Sequence, residues 1–287
     1  MAASAAVLSG IFFFFCRTVD PIFFYIPPGT VREAYKRNPD VFITVYPHRF
    51  SNPAGSVIFI HGGGWRMGGS EMPFYSDWEE LLANAKLKAF SIEHRTSPQF
   101  HGMDIVNDCM DAVRYINKNA ARFGIPANHF ALVGFSSGGH LSLMSALRFN
   151  NNDKENIKIS SVVAYYSPLE LRLLYRNGNP TVKRILEGFA PASSLSDENS
   201  LLDALEGLSP YHNIHERMPY VLLIHGMEDD LVSWNQSNLF YEKSKALKPG
   251  RAEMILLKKG GHNFNTERNQ ETLRVERRAV RFIQKRI

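Results

Sequence analysis

The sequence predicts an α/β fold with one mostly parallel sheet covered by helices on both faces. Three observations carry this expectation. Short β-type runs alternate with amphipathic helical stretches along most of the chain, the pattern of strands joined by crossover helices. The chemically suggestive residues fall just beyond the C-terminal ends of those runs, the edge where open α/β sheets bind ligands. Finally, 287 residues with 44% hydrophobic content can bury one large core.

The elements follow in chain order. Residues 5–16 form an apolar, Phe-rich run. As a helix of about 12 residues it would reach roughly 18 Å, short of a hydrocarbon core of about 30 Å. Arg17, Asp20 and Pro21 interrupt it before Ile22–Ile26, and Pro27-Pro28-Gly29 closes that second patch. Three readings of this leader stand side by side: a segment docked in a membrane interface, a signal or signal anchor, and an arm packed on the protein or a partner subunit. Residues 1–40 are accordingly set apart from a main domain over 41–287.

Within that domain the expected strands are Val41–Tyr46, Val57–His61, Lys88–Glu93, His129–Gly134, Ser160–Tyr165, Tyr220–His225 and Glu253–Lys258. A helix over Asp104–Phe123 places Ile105, Cys109, Ala112, Val113 and Ile116 on one face, and Gly124-Ile125-Pro126 stops it. Another opens near Gly139. A terminal helix over Glu267–Lys285 sets Leu273, Val275, Val280 and Ile283 among charges. Its Arg274, Arg277, Arg278 and Arg281 read as a solvated face paired with Glu267, Glu271 and Glu276. Residues 169–214 break the rhythm with a polar, turn-rich stretch and a helical Thr181–Gly188. This is expected to be a small lid or pocket wall inserted over the ligand edge.

The chemistry concentrates in four places. Gly134-Phe135-Ser136-Ser137-Gly138 follows a strand and opens a helix, the context in which a serine is lifted off the sheet on a sharp turn. A serine hydroxyl is a weak nucleophile and needs a base oriented by an acid. His262, after the last strand, and Asp229, after Tyr220–His225, supply those types in the order Ser, Asp, His. Asp230 competes with Asp229 for the acid role, and Glu228 is a weaker rival, since spacing does not separate neighbouring carboxylates. His61-Gly62-Gly63-Gly64-Trp65 can offer the Gly63 and Gly64 N–H groups, with that of Ser137, as an oxyanion hole. His61, His140 and His225 read as structural hydrogen-bonding residues. Trp65 and Arg66 line the entrance, or Trp65 packs over the sheet edge.

Composition excludes several other classes. A formal net charge of +5, without an aromatic-interleaved basic block, argues against a nucleic-acid partner. Cys16 and Cys109 form neither a disulfide framework nor a CxxC pair, and the histidines lack zinc-ligand spacing. Neither a metal nor a cofactor is expected, and the oligomeric state stays open.

Through these segments the chain resembles lipases and esterases of the α/β-hydrolase superfamily, near the hormone-sensitive-lipase-like and carboxylesterase groups. The resemblance runs from about Val41 to the C-terminus and implies that Asp229 is the acid. It departs at Glu93-His94-Arg95-Thr96-Ser97-Pro98-Gln99, where hormone-sensitive-lipase-like enzymes carry an Asp-Tyr-Arg-Leu-Ala-Pro-Glu type segment. The His-Gly-Gly-x-Trp segment and the triad order are also similar to those of kynurenine formamidases. The expected activity is therefore a serine carboxylic-ester hydrolase, acting on a small-molecule ester of hydrophobic or lipid-derived character. The alternatives are an arylformamidase and, from another class, a hydrolase-fold receptor for a small ligand. Peripheral membrane contact through the leader and cytoplasmic, membrane-associated or secretory locations stay open.

Overall fold

Among the described residues, eight strands form one sheet: β1 (Val31–Lys36), β2 (Val41–Val45), β3 (Gly55–Ile60), β4 (Leu87–Ile92), β5 (Phe130–Phe135), β6 (Ile159–Tyr165), β7 (Tyr220–Gly226) and β8 (Ala252–Leu257). Their spatial order is β1-β2-β4-β3-β5-β6-β7-β8. The computed structural model describes residues 26–70, 75–267 and 269–287, so the leader runs at 5–16 and 22–25 lie outside the described residues. From β4 onward across the sheet all pairings are parallel, whereas β2 runs antiparallel to both β1 and β4. The expected strands are all present within a residue or two of their expected ends. β1 was not foreseen.

Side chains alternate across this sheet, as the two-residue strand period requires. Ile58, Ile60, Leu132, Val162, Val221 and Leu223 enter one core; Val57, Phe59, Val133, Val163, Leu222 and Ile224 enter the other. Both faces are thus dry, which explains why the central strands read as continuous apolar runs. Helices α1 (Tyr75–Asn84) and α9 (Gln270–Gln284) cover the second core, while α2 (Gly102–Lys118) and α4 (Ser137–Asn151) cover the first. The long helix expected over Asp104–Phe123 is divided at Asn119, leaving the single turn α3 (Ala120–Phe123), which ends at left-handed Gly124.

Helix α9 buries Val275, Ala279, Val280, Phe282 and Ile283, but Leu273 is only half-buried. Its arginines are exposed as expected, and for Arg278 the expected partner within the helix is replaced by one outside it. Glu276 is 2% exposed and turned to the core, while Arg278 and the following Arg286 reach Glu253 on β8. An edge strand beside the helix offers a carboxylate that helical spacing alone does not anticipate.

Between β6 and β7 the chain builds α5 (Leu171–Asn177), α6 (Pro180–Phe189) and α7 (Glu198–Gly207), with one 3₁₀ turn between α6 and α7 and another after α7. Asn179 starts α6 by accepting hydrogen bonds from the Thr181 and Val182 N–H groups, with Pro180 in the first turn. The last helix before β8 is α8 (Asn235–Leu247).

Candidate active site

Ser136 follows β5 and precedes α4, with φ 52° and ψ −122°. A non-glycine residue held there is strained, and such strain persists only where the surroundings over-determine it. Two glycines make the turn feasible. A Cβ on Gly134 would lie 2.2 Å from the Gly138 carbonyl oxygen, and one on Gly138 would lie 2.1 Å from that of Ile60. Side chains at either position would push the elbow off the sheet. The Ser136 N–H donates to Tyr165 O at 2.9 Å and its carbonyl accepts from Gly139 N at 3.0 Å, fixing the residue from both sides.

The loop after β8 brings His262 to this serine, with Nε2 3.0 Å from Ser136 Oγ. His262 Nδ1 lies 2.8 Å from Asp229 Oδ2. Because a carboxylate only accepts, Nδ1 carries the hydrogen and Nε2 is left as the acceptor for the serine hydroxyl. Asp229 is anchored on its other oxygen by the N–H groups of Leu231 at 3.0 Å and Val232 at 2.8 Å. Burial opposes its charge, but the hydrogen bonds from His225 and His262 outweigh this and hold its carboxyl at about 2. Asp230 is exposed and Asp229 buried, which distinguishes the two carboxylates that spacing left equivalent. Tyr166 braces His262: its ring meets the imidazole edge-on at 4.8 Å, and its hydroxyl bonds Asn265 three residues further on.

The glycine loop after β3 lies directly on the elbow. A Cβ on Gly62 would be 2.8 Å from Phe135 O and 3.3 Å from Ser136 Cβ. Gly63 and Gly64 both take positive φ, 117° and 61°, and the Gly63 carbonyl is tied back by Arg66 N at 3.1 Å. Trp65, 3% exposed, is packed instead of lining an entrance. Its backbone N–H donates to Ser137 Oγ at 3.2 Å and its ring stacks on Phe189 of α6 at 4.4 Å. Ile185 of the same helix lies 3.5 Å from where a Gly64 side chain would start. Two residues of the inserted segment, Ile185 and Phe189, therefore lie against the glycine loop.

The other histidines fill structural places. His140 Nε2 lies 2.7 Å from Leu208 O, so that nitrogen donates and Nδ1 accepts the Trp65 indole N–H at 3.2 Å. Burial lowers its pKa to about 4, keeping the ring neutral. His61 and His94 stack at 4.3 Å; each Nδ1 donates to the carbonyl of the next residue, and burial lowers both pKa values, His94 to about 3. His225 lies behind Asp229, with Nε2 3.2 Å from its Oδ2, a contact that spacing along the chain does not anticipate. Among the described residues no group of three or more His, Cys, Asp or Glu is arranged to hold a metal.

Comparison with known proteins places these features in a family. The BD-FAE family model matches residues 43–244. Among curated proteins, esterase LipC of Mycobacterium tuberculosis is 23% identical over 222 residues, covering 75% of this chain and 54% of LipC. A kynurenine formamidase of Meyerozyma guilliermondii is 27% identical over 209 residues, covering 69% and 73%. The chain spans about half the length of LipC and of three other curated relatives it matches. In structure it is similar to Est2, an esterase from the Planctomycetes species Thermogutta terrifontis, seen with butyrate bound (TM-score 0.71, 21% identity, 90% of this chain and 94% of that one). It is also similar to an esterase of Pyrobaculum calidifontis (TM-score 0.73, 19% identity, 89% and 84%). With the eight-stranded sheet, the serine elbow and a family match over most of its length, the chain belongs to the BD-FAE family of α/β-hydrolase esterases and lipases.

Proposed function

We propose that the protein hydrolyses carboxylic esters through an acyl-enzyme on Ser136, with His262 as base and Asp229 as acid. The observation that carries this reading is the unbroken hydrogen-bond chain from Ser136 Oγ through His262 to Asp229, at 3.0 and 2.8 Å. His262 Nε2 takes the serine proton as Oγ attacks the ester carbonyl, and the imidazolium then protonates the departing alkoxide. Asp229 stays ionised throughout, in keeping with its low pKa. A water activated by the same nitrogen releases the acid. Gly63, Gly64 and Ser137 supply the oxyanion N–H donors, each worth about 2.7–4 kcal/mol to the transition state. Support for that role comes from the contact of the glycine loop with the elbow.

The substrate is proposed to be a hydrophobic or lipid-derived ester. The apolar group Trp65, Phe189 and Ile185 beside Gly64 supports that preference. Among the described residues no helix is long and apolar enough to cross a membrane, and peripheral contact through the leader rests on its composition alone. A second reading, formamide hydrolysis, is favoured by the formamidase relative, 73% of whose length is covered. The same attack and proton transfers would cleave an N-formyl group.

The test is fluorophosphonate labelling of wild type and Ser136→Ala, alongside a p-nitrophenyl ester chain-length series and N-formylkynurenine. Labelling and ester turnover are expected in wild type and lost together in the variant. Far faster turnover of N-formylkynurenine would select the formamidase reading. A folded wild type that binds ligands but is neither labelled nor active would leave only the receptor.

A further inference from the structure

The hydrogen-bond chain does not stop at Asp229. His225, the penultimate residue of β7, is fully buried, with Nε2 2.8 Å from Val232 O and 3.2 Å from Asp229 Oδ2. A backbone carbonyl offers only lone pairs, so Nε2 carries the hydrogen. That hydrogen is directed to Val232 O, and the same nitrogen makes a second, longer contact at 3.2 Å with the carboxylate oxygen that also faces His262. Behind the ring, His225 Nδ1 lies 2.8 Å from the hydroxyl of Ser237, itself fully buried in the first turn of α8. In the Nε2–H tautomer, Nδ1 accepts and the Ser237 hydroxyl donates. A second serine–histidine pair thus stands behind the acid, mirroring the pair in front of it.

Resting on the triad reading above, we propose that His225, locked in its tautomer by Ser237, is a positioning residue for Asp229 in the ester-hydrolysis reaction. Asp229 Oδ1 is occupied by two backbone N–H groups, and Oδ2 accepts from His262 with His225 Nε2 in contact behind it at 3.2 Å. The carboxylate is fixed at both oxygens and keeps one orientation toward His262. Without the rear donor, Oδ2 loses its restraint from inside the fold and the carboxylate can rotate away from His262 Nδ1. The Asp229 charge would also face buried surroundings with one fewer hydrogen bond, and bonds to charged groups are the stronger class. His225 touches neither substrate nor Ser136, so its effect appears in turnover and leaves substrate binding nearly unchanged.

The experiment compares His225→Gln, His225→Asn and Ser237→Ala in the full chain. The Gln amide reaches the position of Nε2 and retains a donor toward Asp229; the Asn amide reaches only the position of Nδ1. His225→Asn is expected to lower kcat by about 10–100-fold with KM within about twofold, the value of one hydrogen bond to a charged group. His225→Gln should recover kcat to within about threefold of wild type, and Ser237→Ala should fall between them. In an Asp229→Asn background, His225→Asn should cost nothing further in fluorophosphonate labelling rate, because its effect passes through Asp229. Equal losses in Gln and Asn, or the same loss with and without Asp229, would overturn the proposal in favour of simple loop support. Full kcat in His225→Asn overturns it as well. If His225→Asn fails to fold, Ser237→Ala with wild-type kcat is sufficient to refute it. Wild type that is neither labelled nor active would instead sink the hydrolase reading on which the proposal stands.

Discussion

Gly226→Ala should disable the protein from a position that touches neither the nucleophile nor the substrate. Gly226 ends β7, three residues before Asp229, and faces the turn that carries His262 after β8. A Cβ at Gly226 would lie 1.9 Å from the Gly260 carbonyl oxygen, 2.3 Å from its carbon and 2.7 Å from its Cα. Every one of these atoms is backbone, so no side chain can rotate out of the way. The same carbonyl accepts the Glu228 N–H at 3.0 Å, and Met227 N–H donates to Leu257 O at 2.8 Å. The two turns are stitched at the point where the methyl would enter. Bringing a 1.9 Å approach out to ordinary contact requires them to part by about 1 Å or more. Asp229 and His262 ride on opposite sides of that seam, so a 2.8 Å hydrogen bond between them would stretch to nearly 4 Å, beyond hydrogen-bond range.

A displacement of this size costs on the order of 100-fold in rate, and it should fall on kcat. The glycine loop and Ser136 follow β3 and β5, on the other side of the site, and should not move. Overpacking should also cost about 1–3 kcal/mol of stability. The assay is kcat and KM on a p-nitrophenyl ester at 25 °C, corrected for the folded fraction from a thermal melt. Gly207→Ala is the control, since its Cβ would meet nothing within 4 Å. A Gly226→Ala protein with kcat within threefold of wild type would refute the argument that contact between the two turns sets the acid–base geometry.

Three further outcomes are expected. Asp229→Asn should lower kcat about 10⁴-fold by leaving the imidazole without its orienting acceptor, while exposed Asp230→Asn should stay within twofold in the same steady-state assay. The Asp229 carboxyl is held at about 2 against an ordinary 3.8, a depressed value, so its contribution is complete above pH 4 and is lost as pH falls through 2. Urea unfolding between pH 2 and 5 should show about 2 kcal/mol of that loss in wild type and none of it in Asp229→Asn. Asp108 is fully buried and accepts from Arg95 Nε at 2.7 Å, Arg95 N at 3.0 Å and Lys36 Nζ at 2.6 Å. Asp108→Asn should cost about 3 kcal/mol in urea unfolding by leaving the Arg95 guanidinium without its carboxylate, while Lys36 keeps Asp111 at 2.7 Å.

The central strands and the turn that presents Ser136 were legible in the sequence for one physical reason: each is dictated locally. A strand covered on both faces must be apolar throughout, and Val57–Ile60 or Leu132-Val133 shows this without any partner in view. A sharp elbow needs small residues at Gly134 and Gly138, because the backbone itself comes within about 2.2 Å of their missing side chains. β1 escaped notice because it lies at the sheet edge, where Val31 and Arg32 are exposed and the other positions half-buried. An edge strand pairs on one side only, and neither alternation nor a continuous apolar run marks it.

What stayed hidden depends on contacts between distant segments. Nothing in residues 180–189 announces that Phe189 will stack on Trp65, over a hundred residues upstream, or that Ile185 will close on Gly64. The neighbours Asp229 and Asp230 differ only in which carboxylate the turn directs inward. That turn is set by Asp229 Oδ1 capturing the N–H groups of Leu231 and Val232, a local bond whose value depends on a histidine 33 residues away. His225 shows the same division. Its place at the end of β7 is readable, but its tautomer is fixed by Val232 and Ser237, and its consequence by Asp229. Motifs reveal which atoms the chemistry requires, whereas orientation of those atoms is distributed through buried partners that have no spacing rule. For that reason the decisive tests of this site are substitutions behind the triad, at Gly226 and His225, where geometry changes while the reacting atoms remain.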